Sequence, residues 1–181
     1  MDTNTASEPL VLIVSGPPGA GKTTVAAELA LRFEKSVHLK TDWFFESIKA
    51  GFVHPWEPGS AAQNETVIRI AARAAGQYAL ADYAVFVDGV VLPWALEIYR
   101  AELARDGIDA RCVVLLPDVE LSTRRGLARV PSYNLDERVY RDMHRQFVEA
   151  YRDGTAGVRL FTTVQQITET ADDILRWLDG R

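Results

Sequence analysis

Apolar positions along the chain follow two patterns, short uninterrupted runs and longer stretches with an apolar residue every third or fourth position. The first marks buried strands and the second amphipathic helices. A strand is predicted over Leu10 to Ser15, a helix from about Lys22 to Phe33, and a second strand over Val37 to Thr41. A long helix follows from about Ala61 to Ala81, with Val67, Ile70, Ala71, Ala74 and Ala75 on one face. The run Ala84-Val-Phe-Val87, closed by Asp88-Gly89, is apolar throughout and reads as a strand covered on both sides. Beyond it the pattern predicts a helix over Pro93 to Arg105, a strand over Ala110 to Leu116, helices over about Val119 to Ala128 and Leu135 to Arg152, a short strand over Val158 to Phe161, and a last helix over about Ile167 to Leu178. Five strands separated by helices predict an α/β fold with an open parallel sheet, because parallel neighbours need crossover connections. No repeat, low-complexity tract or linker divides the pattern, so residues 1–181 are expected to form one domain, with 1–8 a disordered lead-in. Two segments read as loops outside the sheet and as candidate lids, Gly51 to Ser60 and Arg129 to Asn134.

Composition narrows the classes of function. The 181 residues are 48% hydrophobic and 25% charged, an ordinary globular balance. Twenty Lys and Arg against 25 Asp and Glu give a net charge of −5, a field that repels nucleic acid and acidic membranes. Cys112 is the only cysteine, which excludes an internal disulfide, and no Cys/His spacing suits zinc. The first residues lack the basic-then-apolar order of a secretory signal, and no stretch nears the roughly 20 apolar residues of a membrane span. A cytoplasmic protein with no nucleic-acid or membrane partner is expected. His38, His54 and His144 share no ligand spacing and read as incidental. Lysine occurs only at 22, 35, 40 and 49, and every later cation is arginine.

The chemistry concentrates in Gly16-Pro-Pro-Gly-Ala-Gly-Lys22-Thr23, which matches G-x-x-x-x-G-K-[ST] directly after a predicted strand and before a predicted helix. Glycines there let successive N–H groups converge on phosphate oxygens, and the helix directs its positive end at the same anion. Gly16, Pro17, Pro18, Gly19, Ala20, Gly21, Lys22, Thr23 and Thr24 are therefore expected to bind nucleotide. Lys22 would reach the outer phosphates and Thr23 would ligate Mg²⁺. Asp88 would hold the same ion through water. The residue after Asp88 is Gly89 and not the glutamate of a motor-type ATPase, and no Asn-Lys-x-Asp guanine motif is present. Asp42, at the end of the second predicted strand, is either a general base for an attacking hydroxyl or a helix N-cap. Trp43, Phe44 and Phe45 beside it, with Trp56, Gln63 and Asn64, are candidates to shape an acceptor pocket. Arg125 and Arg129, four apart on one helical face, would close over the nucleotide, one on the base and one on the transferring phosphoryl group.

In this order, the phosphate loop, Lys40-Thr-Asp42, Val87-Asp88-Gly89, the arginine cluster and Phe161-Thr162-Thr163 make the chain resemble the small P-loop kinases of the nucleoside monophosphate kinase, shikimate kinase and chloramphenicol phosphotransferase type. The resemblance spans nearly the whole chain. It implies a three-layer α/β/α P-loop NTPase fold with strand order 2-3-1-4-5, ATP with Mg²⁺ as donor, a lid over about 125–135, and a base-contacting loop that includes Thr163. Shikimate kinases carry two acidic residues where Lys40 and Asp42 stand, and gluconate kinases a Leu-His-Pro element absent here, so the single aspartate is nearer the chloramphenicol phosphotransferase pattern. The expected activity is transfer of the γ-phosphate of ATP to a hydroxyl of a small molecule. A nucleotide or sugar-nucleotide kinase, and a P-loop ATPase or nucleotide switch, are the alternatives.

Overall fold

The computed structural model describes residues 9–128, 136–162 and 166–180. Its elements run β1 (Val11–Ser15), α1 (Lys22–Ala30), β2 (Ser36–Lys40), α2 (Thr41–Glu46), α3 (Ala61–Leu80), β3 (Ala84–Asp88), α4 (Pro93–Ala104), β4 (Ala110–Leu115), α5 (Val119–Leu127), α6 (Glu137–Ala150), β5 (Val158–Phe161) and α7 (Ile167–Asp179). The five strands form one parallel sheet in the order β2-β3-β1-β4-β5. β1, flanked on both sides, is fully buried from Val11 to Val14. Its side chains alternate between two cores. Val11 and Ile13 join Val85, Val87, Cys112 and Val114 under α3, α4 and the end of α6. Leu12 and Val14 join Phe86, Val113 and Leu115 under α1 and α7. A sheet sandwiched between two helical layers is the three-layer architecture expected.

Two details depart from the sequence pattern. Ile70 is 48% exposed rather than on the buried face of α3. The buried stripe is Val67, Ile68, Ala71, Ala72, Ala75 and Ala79, and at 100° per residue Ile70 stands about 140° from its centre. The second correction concerns Asp42. β2 ends at Lys40, and Asp42 lies in the first turn of α2, for which Lys40 is the N-cap. Asp42 is thus neither a strand end nor a cap. The segment 51–60, expected as a lid, is tied to α3: Gln63 donates to Val53 O at 2.6 Å and accepts from Val53 N at 2.9 Å, and Asn64 donates to Pro55 O at 2.8 Å.

α3 and α4 are joined by one buried carboxylate. Glu102 accepts from Arg69 at 2.6 Å, Arg73 at 3.1 Å and Arg105 at 2.8 Å. Burial alone would raise its pKa, but these hydrogen bonds and charges outweigh it and hold the carboxyl below its ordinary value. A carboxyl with a depressed folded pKa contributes stability that is complete above its unfolded pKa and is lost as pH falls through the folded value. Glu102→Gln should lower the urea midpoint at pH 7, and the gap to the wild type should shrink as pH is taken below about 4. A gap that stays constant with pH would show that the charge of Glu102 contributes nothing.

Candidate active site

Parallel strands bring the loops after β1, β2, β3 and β4 to one edge of the sheet, where open α/β sheets bind ligands. The loop after β1 needs backbone that a side chain would obstruct. At Gly19 φ is +80° and a Cβ would lie 1.9 Å from Ser122 O of α5, so only glycine allows the loop to seat against that helix. The turn closes with Ala20 N donating to Pro17 O at 3.2 Å. Gly21, at φ +98°, is the N-cap of α1 and supplies no side-chain cap. The first N–H groups of an α-helix have no intrahelical acceptor. An uncapped N-terminus behind a glycine-rich turn is suited to phosphate. Lys22 Nζ donates to Pro17 O at 3.0 Å, which folds its ammonium over the mouth of the loop.

β3 delivers Asp88 to the same place. Its register partners are Val14 of β1 and Lys40 of β2. Gly89 then passes so close to Thr41 that a Cβ would lie 2.6 Å from Thr41 Oγ1. Ser15 Oγ donates to Val91 O at 2.8 Å and accepts from Val91 N at 3.0 Å, and Tyr151 OH donates to Val91 O at 3.0 Å. These bonds fix the chain just past Asp88. Asp88 is only 6% exposed. Burial would raise its pKa, yet His38, Lys22 and the Thr23 hydroxyl together hold it below the ordinary value, so it stays an anion. His38 Nε2 stands 3.4 Å from Asp88 Oδ2, so its ring faces the carboxylate. His38 therefore belongs to the site, contrary to its reading as incidental. His144 fits that reading, buried with Nε2 2.8 Å from Pro117 O, and His54 stacks on Trp56 at 4.8 Å. An anionic carboxylate beside a threonine hydroxyl is an oxygen donor set of the kind Mg²⁺ takes.

Asp42 lies on the adjoining side, with part of its surface exposed but its carboxyl crowded by surrounding protein atoms. Loss of surrounding water pushes its pKa above the ordinary 3.8, the pull of Lys22 and, more weakly, of Lys40 opposes this, and repulsion from Asp88 and Glu46 adds to it. Lys22, Asp42 and Asp88 are thus electrostatically coupled. Of the three aromatics after Asp42, only Trp43 is exposed, at 51%; Phe45 is buried and Phe44 packs on the core. Gln63 and Asn64 spend their amides on the 51–60 loop. A cavity of about 530 Å³ between α2 and α3, lined by Phe44, Ile48, Gln63 and Ile70, faces away from Asp42, since Phe44 is about 200° round the helix from it. Trp94, 48% exposed in the first turn of α4, was not anticipated, although an aromatic so soon after Asp88-Gly89 was a visible signal. Arg125 is in the last turn of α5 and exposed. Arg129, Thr163 and most of the expected lid lie outside the described residues. Among the described residues no group of three or more His, Cys, Asp or Glu gathers as a metal site, and no helix is long and apolar enough to cross a membrane.

Residues 11–150 match the family model described as an AAA domain. The chain belongs to that family. No curated protein matches it by sequence. Among solved structures it is similar to a sugar kinase from Janibacter sp. HTCC2649, at 17% identity over 94% of each chain with a TM-score of 0.71. It is similar to the tunicamycin resistance protein of Deinococcus radiodurans, at 17% identity over 93% of this chain and 95% of that one, TM-score 0.66. It is also similar to the shikimate kinase of Acinetobacter baumannii in complex with shikimate, at 24% identity over 96% and 95%, TM-score 0.60. This AAA-domain chain therefore has the fold of the small P-loop kinases.

A side chain at position 19 would press on the α5 backbone. Gly19→Ala should destabilise the protein by about 1–3 kcal/mol, the range for overpacking, which thermal melting tests. An unchanged melting temperature would show that the loop does not need glycine to dock on α5.

Proposed function

We propose that the protein is an ATP-dependent phosphotransferase that moves the γ-phosphoryl group of ATP to a hydroxyl of a small molecule. The observation that carries this reading is the meeting of three groups at one sheet edge: Lys22 over the glycine loop, the buried anion Asp88 beside Thr23, and the partly exposed carboxylate Asp42 with a raised pKa. The loop from Gly16 to Thr24 holds the phosphates through backbone N–H groups and the α1 N-terminus, and Lys22 adds a point charge. Thr23 and Asp88 would hold Mg²⁺, which when bound offsets charge on the phosphate oxygens. Asp42 accepts the proton of the acceptor hydroxyl as its oxygen bonds to the γ-phosphorus, and the bond to the bridging oxygen of ADP breaks. Arg125 and Arg129 are assigned to the phosphates, with the lid at about 125–135, and Thr163 is assigned to the base. Gly89, where a motor-type ATPase has glutamate, leaves no adjacent carboxylate to activate water in place of the acceptor. In this reading residues 1–181 act as one cytoplasmic kinase domain.

Lys22→Ala should abolish transfer. Asp42→Asn should lower kcat by about 100-fold or more, on the scale of general-base catalysis, while the dissociation constant for ATP stays within a small factor. Equal loss of ATP binding in Asp42→Asn would move that residue to the nucleotide side. Because Asp42 works as the base only when ionised and its pKa is raised, kcat should fall on acidification with a midpoint above 3.8, and Asp42→Asn should lose that limb. Acceptor-independent ATP hydrolysis at the full rate would favour a nucleotide switch instead.

A further inference from the structure

β2 brings a histidine to the back of the candidate cation site. His38 is level with Phe86 of β3, and since side chains alternate faces along a strand, its ring shares with Phe86 and Asp88 the face of the sheet covered by α1. The Nε2 atom is shut off from solvent, stands 3.4 Å from Asp88 Oδ2 and has no other hydrogen-bond partner among the described residues. An apolar side chain at 38 would pack beside Phe86 without burying a nitrogen, which costs free energy unless the nitrogen is partnered. The imidazole is therefore accounted for by the carboxylate it faces. Burial raises the pKa of Asp88, and among the groups that hold it down instead His38 comes first, ahead of Lys22 and the Thr23 hydroxyl. Asp88 is thus acted on from two elements, by His38 of β2 and by Lys22 and Thr23 of α1.

We propose that His38 is a positioning residue for the divalent cation: its Nε2–H donates to Asp88 Oδ2 and fixes the plane of the carboxylate, leaving Oδ1 for the cation held with the Thr23 hydroxyl. A carboxylate turns about a broad, two-fold last torsion unless an outer group holds it, and outer partners of this kind set the affinity of the ligands they orient. The inference rests on the phosphotransferase reading only through the Mg²⁺ site of Thr23 and Asp88. It adds to that site a residue of the neighbouring strand that touches neither nucleotide nor cation. Because His38 acts through Asp88, its removal lowers the affinity for the cation and leaves the phosphate loop as it was.

The readout is the factor by which Mg²⁺ tightens binding of a non-hydrolysable ATP analogue, the ratio of its dissociation constants in EDTA and in saturating Mg²⁺ by calorimetry. His38→Phe keeps an aromatic ring and removes the donor. It should cut the factor about tenfold or more, the scale for an outer partner of a metal ligand, with the dissociation constant in EDTA unchanged. His38→Gln, which restores an N–H donor, should recover most of it. Asp88→Asn should lower the factor at least as far, and His38→Phe added to Asp88→Asn should cost nothing further, because the two residues act as one unit. An unchanged factor in His38→Phe, even if nucleotide binding weakens as a whole, would mark a packing role and overturn the proposal. So would no recovery in His38→Gln, or a full additional loss in the double variant. Melting curves show which variants are folded, and His38→Val, a strand former without a donor, replaces His38→Phe if the larger ring does not fit. If Mg²⁺ does not tighten nucleotide binding in the wild type, or does so undiminished in Asp88→Asn, the cation site itself fails and the inference with it. If both of those tests are passed and His38→Phe alone is without effect, the cation site stands and only the role of His38 is wrong.

Discussion

The parallel pairing of β1 with β3 is the constraint on which the rest of the site depends. It sets Asp88 level with Val14, two residues before the glycine loop, so the buried anion and that loop are held by one backbone ladder. Everything nearby reinforces that alignment. Gly89 N donates to Val14 O at 3.4 Å, and Ser15 makes two hydrogen bonds to Val91, so the ends of both strands are joined past the last ladder rung. A slip of one residue would turn Asp88 toward the other core, because side chains alternate faces along a strand.

The fold separates three carboxyl environments. Glu102, on the outer helical layer, is surrounded by three guanidiniums and serves packing. Asp88 is buried but compensated and remains an anion. Asp42 is incompletely compensated and more easily protonated. Environment and not residue type sets the protonation behaviour of the three apart, the usual way one fold keeps several carboxyl groups distinct.

Much of this architecture was legible in the chain. The uninterrupted apolar runs at 11–14 and 84–87 could be buried on both faces only in the middle of a parallel sheet, and they are. The phosphate loop was legible because its glycines and Lys-Thr end have few other uses between a strand and a helix. Less was legible around α2. Residues Thr41–Glu46 form a six-residue helix too short to show a period, so Asp42 read as the end of a strand. Gln63 and Asn64 read as pocket residues because their partners, the backbone of Val53 and Pro55, lie about ten residues away across a loop whose course no periodicity reveals.

By itself, the sequence determined the strand-helix alternation, the glycine-rich loop between β1 and α1, and the identity of the charged groups near it. These are local properties, written in hydrophobic period and in the backbone demands of glycine. Only the tertiary structure decided that His38 faces Asp88, that Lys40 stands over the Trp43 ring, and that Ile70 turns to solvent. Each of those depends on which strands are neighbours and how a helix is rotated on its sheet, and such contacts between residues far apart in the chain follow from packing the whole core at once.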